Sequence, residues 1–108
     1  MRLRSLILGE DRVLLSGIVY QEILSGLRSD RQRAELVATL APFPFLRPTR
    51  ETHERAARLR DRCFAEGVSV GTVDVLIAQT AIDNDCLLLT SDADFAAIAA
   101  RSELRLLG

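Results

Sequence analysis

Three short apolar runs constrain this chain most: VLL at Val13–Leu15, CLLL at Cys86–Leu89 and LRLL at Leu104–Leu107. The middle run is apolar on both faces, as a strand in the interior of a parallel sheet should be. Stretches with helical periodicity lie between the runs. Short strands alternating with helices predict an α/β domain with a mainly parallel sheet flanked by helices. The expected strands are 13–16, 45–47, 86–90 and 104–107. Pro48 makes 45–47 an edge strand, because proline cannot donate to a ladder. Helices are expected from Gly17 to near Gly26, behind the SDRQ capping box at Ser29–Gln32, over 51–66, 73–84 and 93–100. Leu3, Leu6 and Ile7 recur at helical spacing, so a further helix is expected from residue 1, with no capping residue before it.

At 108 residues the chain (1–108) reads as a single domain with one modest core. The net charge of -1 gives no overall attraction to polyanions, so a nucleic acid would need a local basic patch. All fourteen basic residues are arginine, which excludes lysine Schiff-base and P-loop chemistry. Cys63 and Cys86, with His53 the only histidine, lack the tight spacing of a metal cluster, and Cys86 reads as a small buried hydrophobe. No run reaches membrane-spanning length and the first residues do not form a signal peptide, so a cytoplasmic protein is expected.

The acids carry the chemistry. A helix beginning near Asp74 descends roughly 15 Å over ten residues, and strand 86–90 climbs back roughly 16 Å. Asp92 therefore returns to the level of Asp74, at the edge where parallel strands end. Glu22 lies six residues beyond Ser16, which ends the first strand at that edge, and is expected on the sheet-facing side of its helix with Ile18. Glu22, Asp74 and Asp92 can then converge, with Asp94 beside them. Clustered carboxylates repel unless a cation neutralises them. Oxygen-only donors suit Mg²⁺ or Mn²⁺, and phosphodiester hydrolysis is the natural reaction class. Simpler roles compete: Asp94 fits a capping box with Ser91, Asp92 a helix dipole, and Asp74 a plain first-turn acid.

LLSGIVYQEILSGL followed by GVSVGTVDVLIAQTAIDNDCLLLTSDADF resembles the PIN-domain family, in particular VapC-type toxins of bacterial toxin–antitoxin pairs, over about Leu3 to Leu107. The resemblance implies a Mg²⁺- or Mn²⁺-dependent endoribonuclease, neutralised by a cognate antitoxin and forming a homodimer. Position by position, Glu22, Asp74 and Asp92 match the family's catalytic, metal-ligating acids, Asp94 a more variable neighbouring acid, and Thr90 a supporting hydroxyl residue. VapC-like chains usually begin with a central strand ending in Asp, ahead of the first helix. Nothing before MRLRSLILGE supplies it here. The expectation is therefore a sheet lacking its first, central strand, and a shortened chain that cleaves RNA poorly or not at all. The alternative is a non-catalytic PIN-like module that dimerises or binds antitoxin. A phosphoacceptor domain ranks lower, for want of a lysine. Arg55, Arg58 and Arg62 share one helix face, expected to be a solvated stripe. The aromatic residues are assigned mostly to core-like positions, so no aromatic platform for stacking RNA bases is expected.

Overall fold

The computed structural model describes residues 5–8, 13–90 and 93–107. Its strands are β1 (Ser5–Leu8), β2 (Val13–Ser16), β3 (Phe45–Leu46), β4 (Leu87–Thr90) and β5 (Arg105–Leu106). The helices are α1 (Gly17–Ser25), α2 (Asp30–Leu40), α3 (Arg50–Ala65), α4 (Thr72–Asp83) and α5 (Asp94–Ala99). Among the described residues the strands form one sheet in the order β3-β2-β1-β4-β5. β2 pairs parallel with β3, and β4 with β5. The four strands expected from the sequence all run one way, and β3 lies at the edge, as Pro48 requires. The α/β class is as expected.

The first segment corrects the sequence reading. Residues 5–8 are a strand, not the start of a helix. β1 sits between β2 and β4 and is antiparallel to both, with Ser5 opposite Thr90, Leu8 opposite Leu87, and Ile7 opposite Leu14. The slot expected to stand open is thus filled, in the reverse direction. Four residues, three of them apolar, are too few for periodicity to separate helix from strand. Two facing strands with unpaired backbone groups offer a ladder on both sides, and that demand outweighs a weak local helical preference.

α3 is held by both ends and one stripe. The Thr49 side chain accepts from the Thr52 amide while the Thr52 side chain reaches the Thr49 amide, a capping box. Gly67, at φ 81°, closes the helix, with the Val68 amide 2.8 Å from the Cys63 carbonyl. Thr52, Ala56, Leu59 and Cys63 form its buried stripe against α4. α4 is buried nearly all round, including Val75, Ile77, Ala78 and Ala81, so it is the central helix. Leu88, Phe95 and Ile98 complete the core from β4 and α5. Burying each such side chain stabilises the fold by about 1.5–3 kcal/mol. α2 differs, for none of its residues is buried.

One further expectation is corrected. Of the phenylalanines only Phe95 is buried; Phe43, Phe45 and Phe64 are exposed. Phe45 instead meets the edge of Tyr20, with ring centroids 5.7 Å apart, and the Arg60 guanidinium lies 4.8 Å from the centre of the Phe64 ring. A small core closed by leucines, alanines and valines leaves little room for large rings.

Candidate functional site

The register places the site's edge. Thr90 ends β4 opposite Ser5, and continuing the β1–β2 register by two residues brings Ser16 opposite Ser5 from the other side. α1 begins directly after Ser16, and α5 begins at Asp94, four residues after Thr90. α4 runs back along β4, so its first turn, with Asp74, returns to the same edge. α1 also packs on α4. The helices carrying Glu22, Asp74 and Asp94 and the strand ending in Thr90 therefore converge at one rim. Asp92 lies outside the described residues, as does Ser91, its neighbour in the expected capping box. Among the described residues the helix cap of α5 is Ala93, which contributes no side-chain hydrogen bond.

Asp74 is half-buried in the first turn of α4. Gly71, the cap of that helix, has no side chain to accept from the opening amides, so the Asp74 carboxylate is the negative charge provided there by α4 itself. Thr90 is half-buried, whereas Asp94 is exposed. Glu22 is exposed too, which corrects the sheet-facing position expected for it. The next residue, Ile23, takes the buried place on α1, and one residue turns a helix by about 100°. Glu22 lines a groove of about 610 Å³ between α1 and α2, with Ile23, Gly26, Leu27, Leu36 and Glu35. Among the described residues no three acidic, histidine or cysteine side chains come together as a metal-ready group.

Away from this rim lies a polar arrangement the sequence reading missed. The Arg55 guanidinium holds Asp83 with two hydrogen bonds, Nε to Oδ1 at 3.0 Å and Nη2 to Oδ2 at 2.8 Å. The buried Gln79 adds Nε2 to Oδ1 at 2.8 Å. Burial alone would raise the Asp83 carboxyl, but the hydrogen bonds from Arg55, Gln79 and Thr52, with the Arg55 charge, hold it below the usual carboxylate range. The signal was the DND run at 83–85, where an apolar helix breaks into a turn. Asp85 itself takes a left-handed conformation, φ 52°, at the end of α4. Cys63 and Cys86 are both buried free thiols, and burial, then the Asp85 charge, pushes the Cys86 thiol up, away from reactive thiolate chemistry.

No helix among the described residues is long and apolar enough to cross a membrane. No curated protein matches the chain. A model of the PIN domain matches residues 1–101, nearly the whole length and the whole sheet rim described above, and the chain therefore belongs to the PIN-domain family.

Proposed function

We propose that this protein is a Mg²⁺- or Mn²⁺-dependent endoribonuclease of the VapC type, the toxin of a toxin–antitoxin pair. PIN domains are generally nucleases and typically use divalent metal ions. The observation that carries the reading is the half-buried Asp74 in the uncapped first turn of α4, at the rim where β4 ends in Thr90. Glu22, Asp74 and Asp92 would hold the ion, with Asp94 beside them. Their donor set is all oxygen, which suits these ions. A divalent ion there would supply charge neutralisation to a phosphodiester under attack by water. Asp74 is positioned by a rigid buried helix, so its carboxylate is preorganised. Glu22, on an exposed helix face, stands where substrate can reach it. The Thr90 hydroxyl would orient a neighbouring carboxylate.

The reading also includes a cytoplasmic location, a homodimer and a cognate antitoxin. α2, with Leu36 half-buried and Val37 exposed, forms one wall of the α1–α2 groove, a surface suited to an apolar partner segment. The Asp-ending strand usual in such toxins has no counterpart among the described residues. β1 runs in reverse and brings Ser5 to the rim, so a three-acid site is expected to bind metal weakly and cleave slowly.

The test is cleavage of a labelled RNA by the purified chain in Mn²⁺ and Mg²⁺. Expected is slow endonucleolytic cleavage that EDTA abolishes and that Asp74→Asn reduces at least about ten-fold, the scale of a damaged metal shell. Cleavage unaffected by Asp74→Asn would remove the site assignment, and RNA left intact in either metal would remove the enzyme.

A further inference from the structure

Arg55, Arg58 and Arg62 are exposed along one face of α3, as expected, but they are not isolated. With Gln79 and Ile82 of α4 and the Ser102–Glu103 turn they line a groove of about 330 Å³. Its charged lining is three guanidiniums, of which Arg55 is offset by its ion pair with Asp83, and one carboxylate, Glu103. Two of the arginines are already fixed in place: Arg55 by Asp83, and Arg62 by donating Nη1 to the Arg101 carbonyl oxygen at 3.3 Å. Arg58, midway between them, has no side-chain hydrogen bond or ion pair among the described residues. Of the three guanidiniums in the groove it is the one the fold leaves uncommitted.

We propose that this groove binds the phosphodiester backbone of RNA at a position remote from the cleavage rim. The inference rests on the ribonuclease reading above and extends it to a second contact. Gln79 and Ile82 lie five and eight residues beyond Asp74, about 7.5 and 12 Å down α4. An RNA held at the acids would have to run down and around α4 to reach the groove. Planar guanidiniums match phosphate oxygens bidentately, and fixed ones lose little freedom on binding. No aromatic ring lines the groove, so it offers no stacking platform for bases. Leu59, at its floor, is buried in the core, which leaves no deep apolar pocket to anchor a peptide. Charge without an apolar anchor suits a polyanion backbone, and the contact should be indifferent to sequence.

The experiment measures binding rather than cleavage. A fluorescein-labelled oligouridylate is titrated with the intact chain in EDTA across a salt series, followed by anisotropy. Each lost phosphate contact on a single strand lowers the salt slope by about 0.7, which at about 0.1 M salt is about five-fold in affinity. Arg58→Ala should give that loss, Arg58→Lys should keep most of the affinity, and Glu103→Gln should tighten binding. Arg58→Ala should also raise KM for cleavage without changing kcat. Arg58→Ala with unchanged affinity and slope, circular dichroism showing it folded, would overturn the proposal. So would displacement of the RNA by polyglutamate at equal charge concentration, which would make the groove a site for acidic peptide. The two readings fail separately. RNA bound through Arg58 but never cleaved defeats the enzyme alone, whereas metal-dependent cleavage with an Arg58→Ala chain that binds normally defeats the groove alone.

Discussion

At the scale of single residues, Asp83 shows how a polar group becomes structural. Its side chain is 15% exposed, yet its oxygens accept from Arg55 and Gln79, tying the end of α4 to α3. Because its folded pKa is lowered, the stabilisation is complete above the unfolded value of about 3.9 and is lost as the pH falls through the folded value. Asp83→Asn keeps the shape and removes the charge. The variant should be less stable by about 1 kcal/mol near neutrality, a modest figure because solvent reaches Arg55. The difference from the parent should shrink as pH falls below about 4. Urea denaturation at a series of pH values checks this, and a constant difference down to acid pH would show that the Asp83 charge contributes nothing.

At the scale of elements, β1 is the informative piece. Ile7 faces Leu14 on one side and Leu88 on the other, so a defect there disturbs two ladders. Ile7→Pro removes an amide donor from the middle of the sheet. It should destabilise the chain by about 1–3 kcal/mol or more, the cost of leaving a buried backbone partner unsatisfied. The same substitution at Phe45 in the edge strand β3 should cost less. Equal, small effects at both positions in urea melts would show that Ser5–Leu8 is not an interior strand. The helix assignment for this segment failed because four residues carry too few turns of pattern. α3, expected over 51–66, was legible because its ends are marked by a first-turn acid and Gly67.

At the scale of the whole molecule, self-association depends on what the filled sheet leaves exposed. A filled central slot leaves no open strand edges inside it, so apolar surface elsewhere must drive a dimer. Val37, Phe43 and Phe45 are exposed on and just after α2, and β3 is an open edge. A dimer mass by light scattering is expected, reduced toward the monomer by Phe43→Ser combined with Phe45→Ser. A monomer mass for the parent over a wide concentration range would overturn it.

The α/β class, the four like-directed strands and the helices α3 and α4 were legible because each rests on local chemistry repeated along the chain: apolar runs, the cap at Ser29, acids in first turns, and breakers at Pro48 and Gly67. The acids at Asp74 and Asp94 were placed by the same means, since a residue in a helix's first turn follows that helix to the sheet edge. The side of α1 that Glu22 faces was not legible. It depends on the rotation of the helix, and Ile23, one residue on, is buried in a core built from elements distant in sequence. Nor was the strand at Ser5–Leu8, whose conformation is decided by vacant hydrogen-bond partners on β2 and β4. The Arg58 groove belongs to the same class. The sequence by itself determined that three arginines share a helix face; only the tertiary structure set α4 and the Ser102–Glu103 turn across from them, because a concave wall requires a second element.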